Sequence, residues 1–314
     1  MLKQKLNWLL APDIMQKILV IGASGQVASS LVNHAPNKFQ SISAVGRPDI
    51  DILDMADVTR VMSDRSPDLV VNAAAYTAVD MAETDEAQAF AVNETGPGHL
   101  ASVCETRNIP LIHISTDYVY DGEKTGEYNE HDPVAPGGVY GRSKLAGELL
   151  VAKNCRQHII LRTAWVHSPY GQNFVKTMLR LAATRDEINV VHDQVGTPTY
   201  APHLARAVLD IARYIDDRDR GDVPWGLYHG AGAGQASWFD LACEVFEQSA
   251  KLGGPSAIVH PITTDQYPTP AVRPANSRLN CDKLNSSFGV ALPDWKTGVR
   301  ECVSELLGDG DAAP

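Results

Sequence analysis

Paired cysteines, long apolar runs and an excess of positive charge are all missing from this sequence. The five cysteines (Cys104, Cys155, Cys243, Cys281, Cys302) stand far apart and never as CxxC, which argues against a disulfide framework or a zinc site. They read as small buried hydrophobes. The ten histidines include no HExxH or paired spacing, so no protein-bound metal is expected at a catalytic centre. No apolar run approaches the roughly 18–20 residues that a membrane helix needs. The opening MLKQKLNWLLAPDIM is too short and too interrupted for a signal peptide, so a cytoplasmic setting away from membranes is expected. A net charge of −11 argues against nucleic acid as a partner, because phosphate backbones need clustered Lys and Arg. It leaves room for an anionic small molecule in a local basic pocket.

What is present is an alternation of short apolar runs and longer amphipathic stretches over 314 residues. Runs of the buried-strand kind fall at 17–21, 41–45, 69–72 and 111–115. Helical spacing fills about 25–34, 55–65 and 80–107, followed by a helix over 140–153 and a strand over 159–162. Strands alternating with helices imply βαβ units with right-handed crossovers. The expected fold is α/β, a Rossmann-type doubly wound parallel sheet with a smaller C-terminal substrate-binding lobe. Met15 directly precedes the first strand, so residues 1–14 read as an extension without functional weight. Residues 15–165 are assigned to the dinucleotide-binding domain. Residues 166–314 are assigned mainly to the substrate lobe, with some segments returning to the sheet. There helices at 174–184, 202–214 and 238–250 alternate with Pro- and Gly-rich loops at 221–225, 230–234 and 267–274.

The turn Gly22-Ala-Ser24-Gly25-Gln26-Val27 follows the first strand and opens the first helix. Glycines let the backbone turn sharply and approach a pyrophosphate, whose charge meets the helix N-terminus. An ordinary βα turn would also use glycine; the strand before and the helix after favour the cofactor reading. The second strand ends at Arg47, where a guanidinium can pair with a 2′-phosphate, tilting the choice between NADPH and NADH towards NADPH. A solvated surface arginine explains it almost as well. Asp51 and Ile52 follow at a distance suited to the adenine edge. Ala73, Ala74 and Tyr76 bring small residues to the sheet edge, where helix–strand packing also wants alanine.

Tyr140-Gly-Arg-Ser-Lys144 puts a phenol and an ammonium four residues apart, on one helical face. A cation about 4 Å from the phenol would stabilise the phenolate and lower its pKa, giving a proton donor and acceptor. Alone, this spacing also describes a surface pair. Thr116, about 25 residues upstream in Ile114-Ser115-Thr116-Asp117-Tyr118, strengthens it. That segment is expected at the carboxyl end of the strand beside the first one, the topological switch point where ligands bind. There Thr116 can donate to a substrate carbonyl and polarise it.

Together these motifs resemble extended short-chain dehydrogenases/reductases. GASGQV, NAAAYTAVDMAE, STDYVYDG, YGRSKLAGE, LRTAWVHSPYGQNF, DQVGTPTYA and RPANS, spread over 22–277, resemble the dTDP-4-dehydrorhamnose reductase family. The resemblance implies that Thr116, Tyr140 and Lys144 are catalytic, with Lys144 also holding the cofactor. It implies Trp165 as a substrate-stacking residue and Tyr118 as a pocket residue, with Asp117 beside them. The implied substrate is dTDP-4-dehydro-6-deoxy-L-mannose, reduced at C4 by NADPH or NADH. Arg273 is a candidate diphosphate ligand on guanidinium geometry, weighed evenly against a surface charge. A homodimer is compatible with this reading. Three rivals stay open. A 4,6-dehydratase would want Asp-Glu where Asp117-Tyr118 stands. An epimerase would keep the same Tyr–Lys pair. A regulatory subunit resembling that of methionine adenosyltransferase would keep the motifs without turnover.

Overall fold

The chain alternates strand and helix because buried apolar runs of four to six residues are separated by amphipathic segments. The computed structural model describes residues 17–34 and 41–308; the extension expected over 1–14 lies outside them. The first half runs β1 (Lys17–Ile21), α1 (Gln26–Asn33), β2 (Ser41–Val45), α2 (Met55–Arg65), β3 (Leu69–Asn72), α3 (Val79–Ala82), α4 (Glu86–Phe90), a π-helical turn (Ala91–Thr95) and α5 (Gly96–Arg107). Then come β4 (Leu111–Thr116), a 3-10 turn (Asp117–Val119), α6 (Val139–Asn154) and β5 (His158–Thr163). The second half holds β6 (Val166–His167), α7 (Phe174–Ala182), β7 (Glu187–Val191), β8 (Val195–Gly196), β9 (Thr199–Tyr200), α8 (Ala201–Asp216) and β10 (Gly226–His229). It closes with β11 (Ala236–Ser237), α9 (Trp238–Lys251), β12 (Ile258–Ile262), β13 (Asn276–Ser277), α10 (Asp282–Phe288) and α11 (Trp295–Gly308).

Six strands form a parallel sheet in the order β10-β5-β4-β3-β1-β2. Side chains alternate across each strand, so Ile18 and Val20 enter one core while Leu19 and Ile21 enter the other. On the first face lie α1, α8 and α10, through Leu31, Leu204, Val208 and Leu284. On the second lie α2, α5 and α6, through Val58, Met62, Leu100 and Val151. With both faces covered, β1, β3, β4 and β5 carry near-continuous apolar runs, with polar Asn72, Thr116 and Thr163 at the ends of the last three. A separate core joins α7, β7, α9 and α11 through Val175, Ile188, Val245 and Val299. Among the described residues, no helix is long and apolar enough to cross a membrane.

Two expectations need correction. The strand beside β1 is β3, so the switch point lies between β1 and β3, and β4 with Thr116 stands one strand further out. Motif order along the chain does not carry strand order in space. The stretch 80–107 is not one helix: it breaks into α3, α4, a π turn and α5, as Asn93 turns into the interior and Pro97 starts a fresh first turn. The loop expected at 221–225 is present, and it leads into β10, an edge strand of four residues that the sequence reading did not place.

Candidate active site

The cofactor edge is built from the turn after β1. Gly22 has φ 112°, a conformation that favours glycine. A Cβ there would meet the Ala74 amide nitrogen at 2.8 Å, so Gly22 lets the turn press against Ala73 and Ala74 at the end of β3. Gly25 caps α1 with no side-chain hydrogen bond, and the first turn carries no acidic residue. Free N–H groups and the positive helix end therefore face the sheet edge beside exposed Ser24, which fits a pyrophosphate. Val27 buries its side chain in the core, leaving its backbone to this edge.

Gln26, expected at the cofactor, spends its side chain elsewhere. Its Nε2 donates to the Val166 carbonyl at 3.3 Å, and its Oε1 accepts from Ser168 at 2.8 Å and Asn173 at 3.0 Å. It bolts the glycine turn to the segment after β5. Arg47 extends its guanidinium to both Asp51 oxygens, at 3.0 and 3.1 Å. The Leu53 amide and then Arg47 hold the Asp51 carboxyl below its ordinary pKa. The Ile52 side chain packs in the second core. Tyr76 donates its amide to Asn93 Oδ1 at 2.8 Å and its phenol to Asp85 at 3.3 Å.

At the end of β4, the Thr116 hydroxyl donates to Asp117 Oδ1 at 2.9 Å and accepts the Tyr118 amide at 3.3 Å. It is also a hydrogen-bonding neighbour of the Tyr140 phenol. Burial pushes the Asp117 carboxyl up to about 6, and its Oδ2 has no partner. The rings of Tyr118 and Tyr140 meet edge to face with centroids 5.4 Å apart. This approach depends on Gly141: a Cβ there would collide with the Tyr118 carbonyl, so α6 can lie directly on the 3-10 turn.

Lys144 is only 2% exposed, and its Nζ donates to the Ile114 carbonyl at 2.8 Å. Burial draws its pKa down to about 8, opposed by the charge of Glu148. The expectation that Lys144 lowers the tyrosine pKa is corrected. The ammonium is bound to the β4 backbone, and desolvation raises Tyr140 despite its bond with Thr116.

Trp165 sits just past β5 with φ 47°, a left-handed conformation strained for a bulky side chain. Its indole stacks on Trp238, with centroids 3.5 Å apart and planes 6° from parallel, so one face is covered by protein. Arg273 donates to Asp80 at 2.8 Å and to the Tyr118 phenol at 3.5 Å. Gly122, with φ 79°, brings its loop to this turn, since a Cβ would meet Pro274 Cα at 2.7 Å. Thr116, Asp117, Tyr118, Tyr140, Lys144 and Arg273 thus form one cluster, while Arg47 and Asp51 stand apart at the end of β2.

Four residues around this cluster escaped the sequence reading: Asp80, Asn93, Glu148 and Arg162. Asn93 Nδ2 donates to the Ser143 hydroxyl at 3.0 Å and to the Tyr76 carbonyl at 3.1 Å, joining the sheet edge to α6. Isolated glycines within a helical pattern were the available signal, because they mark close backbone approach. Gly147 is one, and a Cβ on it would strike the Asn93 carbonyl.

Comparison with known proteins covers sheet and lobe together. The family described as RmlD substrate binding domain matches residues 15–307. A Sinorhizobium fredii protein named dTDP-4-dehydrorhamnose reductase is 47% identical over 297 residues, 95% of this chain and 100% of its own. The crystal structure of a Clostridium acetobutylicum dTDP-4-dehydrorhamnose reductase is 38% identical with a TM-score of 0.84, covering 92% of this chain and 99% of that one. A Bacillus anthracis dTDP-4-dehydrorhamnose reductase, solved in complex with NADP, is 31% identical with a TM-score of 0.86, covering 93% of this chain and 100% of that one. Identity at this level over nearly every element leaves one conclusion: the chain belongs to the dTDP-4-dehydrorhamnose reductase family.

Proposed function

We propose that this protein reduces the C4 keto group of dTDP-4-dehydro-6-deoxy-L-mannose to give dTDP-L-rhamnose, an oxidoreductase step of dTDP-rhamnose biosynthesis. The observation that carries this reading is the gathering of Thr116, Tyr140 and Lys144 at the carboxyl end of β4, with the Tyr140 ring edge to face on Tyr118 and the Lys144 ammonium on the Ile114 carbonyl. A reduced nicotinamide, bound along the Gly22–Val27 turn, supplies the hydride to C4. Thr116 turns its hydroxyl from Asp117 to the carbonyl oxygen and polarises it. Tyr140 gives its proton to the developing alkoxide. Lys144 supplies a donor for the nicotinamide ribose. Trp165, stacked on Trp238, borders the deoxysugar, and Arg273 exchanges Asp80 for the diphosphate.

We assign residues 15–165 to cofactor binding and the remainder mainly to the substrate lobe. The return of α8, β10 and α10 to the sheet supports the exception already made for that boundary. The protein works in the cytoplasm on a soluble nucleotide sugar.

Replacing Tyr140 by Phe tests the reading. Cofactor affinity stays within a few-fold, and reductase turnover, followed as nicotinamide absorbance with the keto sugar made in situ, falls by about 10² or more. Turnover that survives intact removes Tyr140 as the acid.

For the cofactor, NADPH is favoured over NADH because Arg47 lies at the end of β2 with its guanidinium largely exposed. Arg47→Ala then raises the KM for NADPH and leaves that for NADH nearly unchanged. Equal effects on both would show that Arg47 does not meet the 2′-phosphate.

A further inference from the structure

Beneath the cluster, three elements are joined by a buried ion pair with no place in the chemistry so far. Glu148 on α6, Arg162 on β5 and Ser115 on β4 are each 3–4% exposed. Arg162 grips Glu148 in a fork, Nε to Oε1 at 2.9 Å and Nη2 to Oε2 at 2.6 Å. Ser115 donates to Oε1 at 2.5 Å. The third arm of the guanidinium, Nη1, donates to the Tyr120 phenol at 2.7 Å, which also meets His229 Nε2 at 2.7 Å. Every group in the fork is satisfied.

The placement is informative. Tyr140, Lys144 and Glu148 are spaced by four and follow one another along one face of α6. Ser115 and Arg162 are register partners, one rung before Thr116 and Thr163. The fork therefore grips the helix one turn beyond Lys144, at the strand ends that carry Thr116. Buried ion pairs contribute little net stability, since desolvation offsets their attraction, and apolar side chains of similar volume often do as well. A two-pronged contact does something an apolar patch cannot: it fixes rotation and translation together.

We propose that Glu148 and Arg162 are positioning residues, a clamp that sets the rotation and height of α6 so that Tyr140 and Lys144 meet Thr116. This rests on the reduction site described above. Neither residue touches the reacting atoms.

The test is the double variant E148L/R162L, which removes both charges together and leaves neither unpaired. Its melting temperature stays close to that of the parent, and the sugar KM changes little. Its kcat falls by about 30-fold or more, since an ångström of misplacement costs about 10²-fold. A kcat within about three-fold of the parent, whatever happens to the melting temperature, overturns the clamp. Should the double variant not fold, Glu148→Asp decides, because it keeps the charge and shortens the arm. A native melting temperature with kcat lowered by about ten-fold supports the clamp, and kcat within about two-fold overturns it. If the parent itself does not reduce the keto sugar, the proposed function fails and the clamp is judged separately by NADPH fluorescence titration. Dissociation weakened about five-fold in E148L/R162L supports a displaced Lys144, and unchanged dissociation overturns it.

Discussion

At the scale of single residues, the site is a study in what burial does to charge. Lys144 is desolvated enough that its ammonium titrates at about 8 rather than in the usual lysine range. The groups facing it are Glu148 on α6 and His113 on β4, and burial holds His113 well below its ordinary pKa. Turnover is therefore expected to fall as pH rises through about 8, as the ammonium loses its proton. A kcat profile at saturating substrate checks this, and a flat profile to pH 9 contradicts it. Unfolding does not account for the loss. The unfolded chain keeps this proton to higher pH, so this group alone makes folding more favourable as pH rises across the same window. The residues of this chemistry were legible where spacing carries them: four from Tyr140 to Lys144, three from Gly22 to Gly25. Asn93 and the Glu148–Arg162 pair were not legible, because their meaning lies in partners 14 to 50 positions away.

At the scale of elements, α6 is held from two sides by glycine. A methyl group on Gly141 would run into the Tyr118 carbonyl, which is backbone and cannot rotate aside. Gly141→Ala is therefore expected to cost about 1–3 kcal/mol, as other overpacking changes do. It should also lift Tyr140 from Thr116, so thermal melting and kcat decline together while the same change at exposed Gly221, with open space around it, is silent. The strands β1, β3, β4 and β5 were readable as continuous apolar runs because both faces of the sheet are covered. The two-residue strands β6, β8, β9, β11 and β13 leave no such trace, since backbone pairing with distant segments makes them. The broken stretch between β3 and α5 was misread because helical spacing persists through it. The π turn at 91–95 interrupts the α-helix without changing its composition.

At the scale of the whole molecule, the sheet is completed late. Core residues Leu204, Val208, Ile211 and Ile215 of α8 and Tyr228 of β10 cover one face of strands formed from the first 72 residues onward. A chain ending at residue 165 should therefore not fold by itself, although it carries the glycine turn, Thr116, Tyr140 and Lys144. The expected outcome is a fragment without a cooperative melt by circular dichroism that binds a hydrophobic dye; a sharp transition would contradict it.

Synthesis must cope with the same arrangement. Between the end of β5 at Thr163 and the end of β10 at His229, 66 further residues must be made. At typical elongation rates that is roughly 3 to 13 seconds. Throughout that interval the nascent sheet presents the unpaired edge of β5 and the bare apolar face awaiting α8. The emerging chain therefore carries an aggregation-prone edge and face until α8 and β10 are made, and codons that slow the ribosome between 164 and 225 lengthen that exposure.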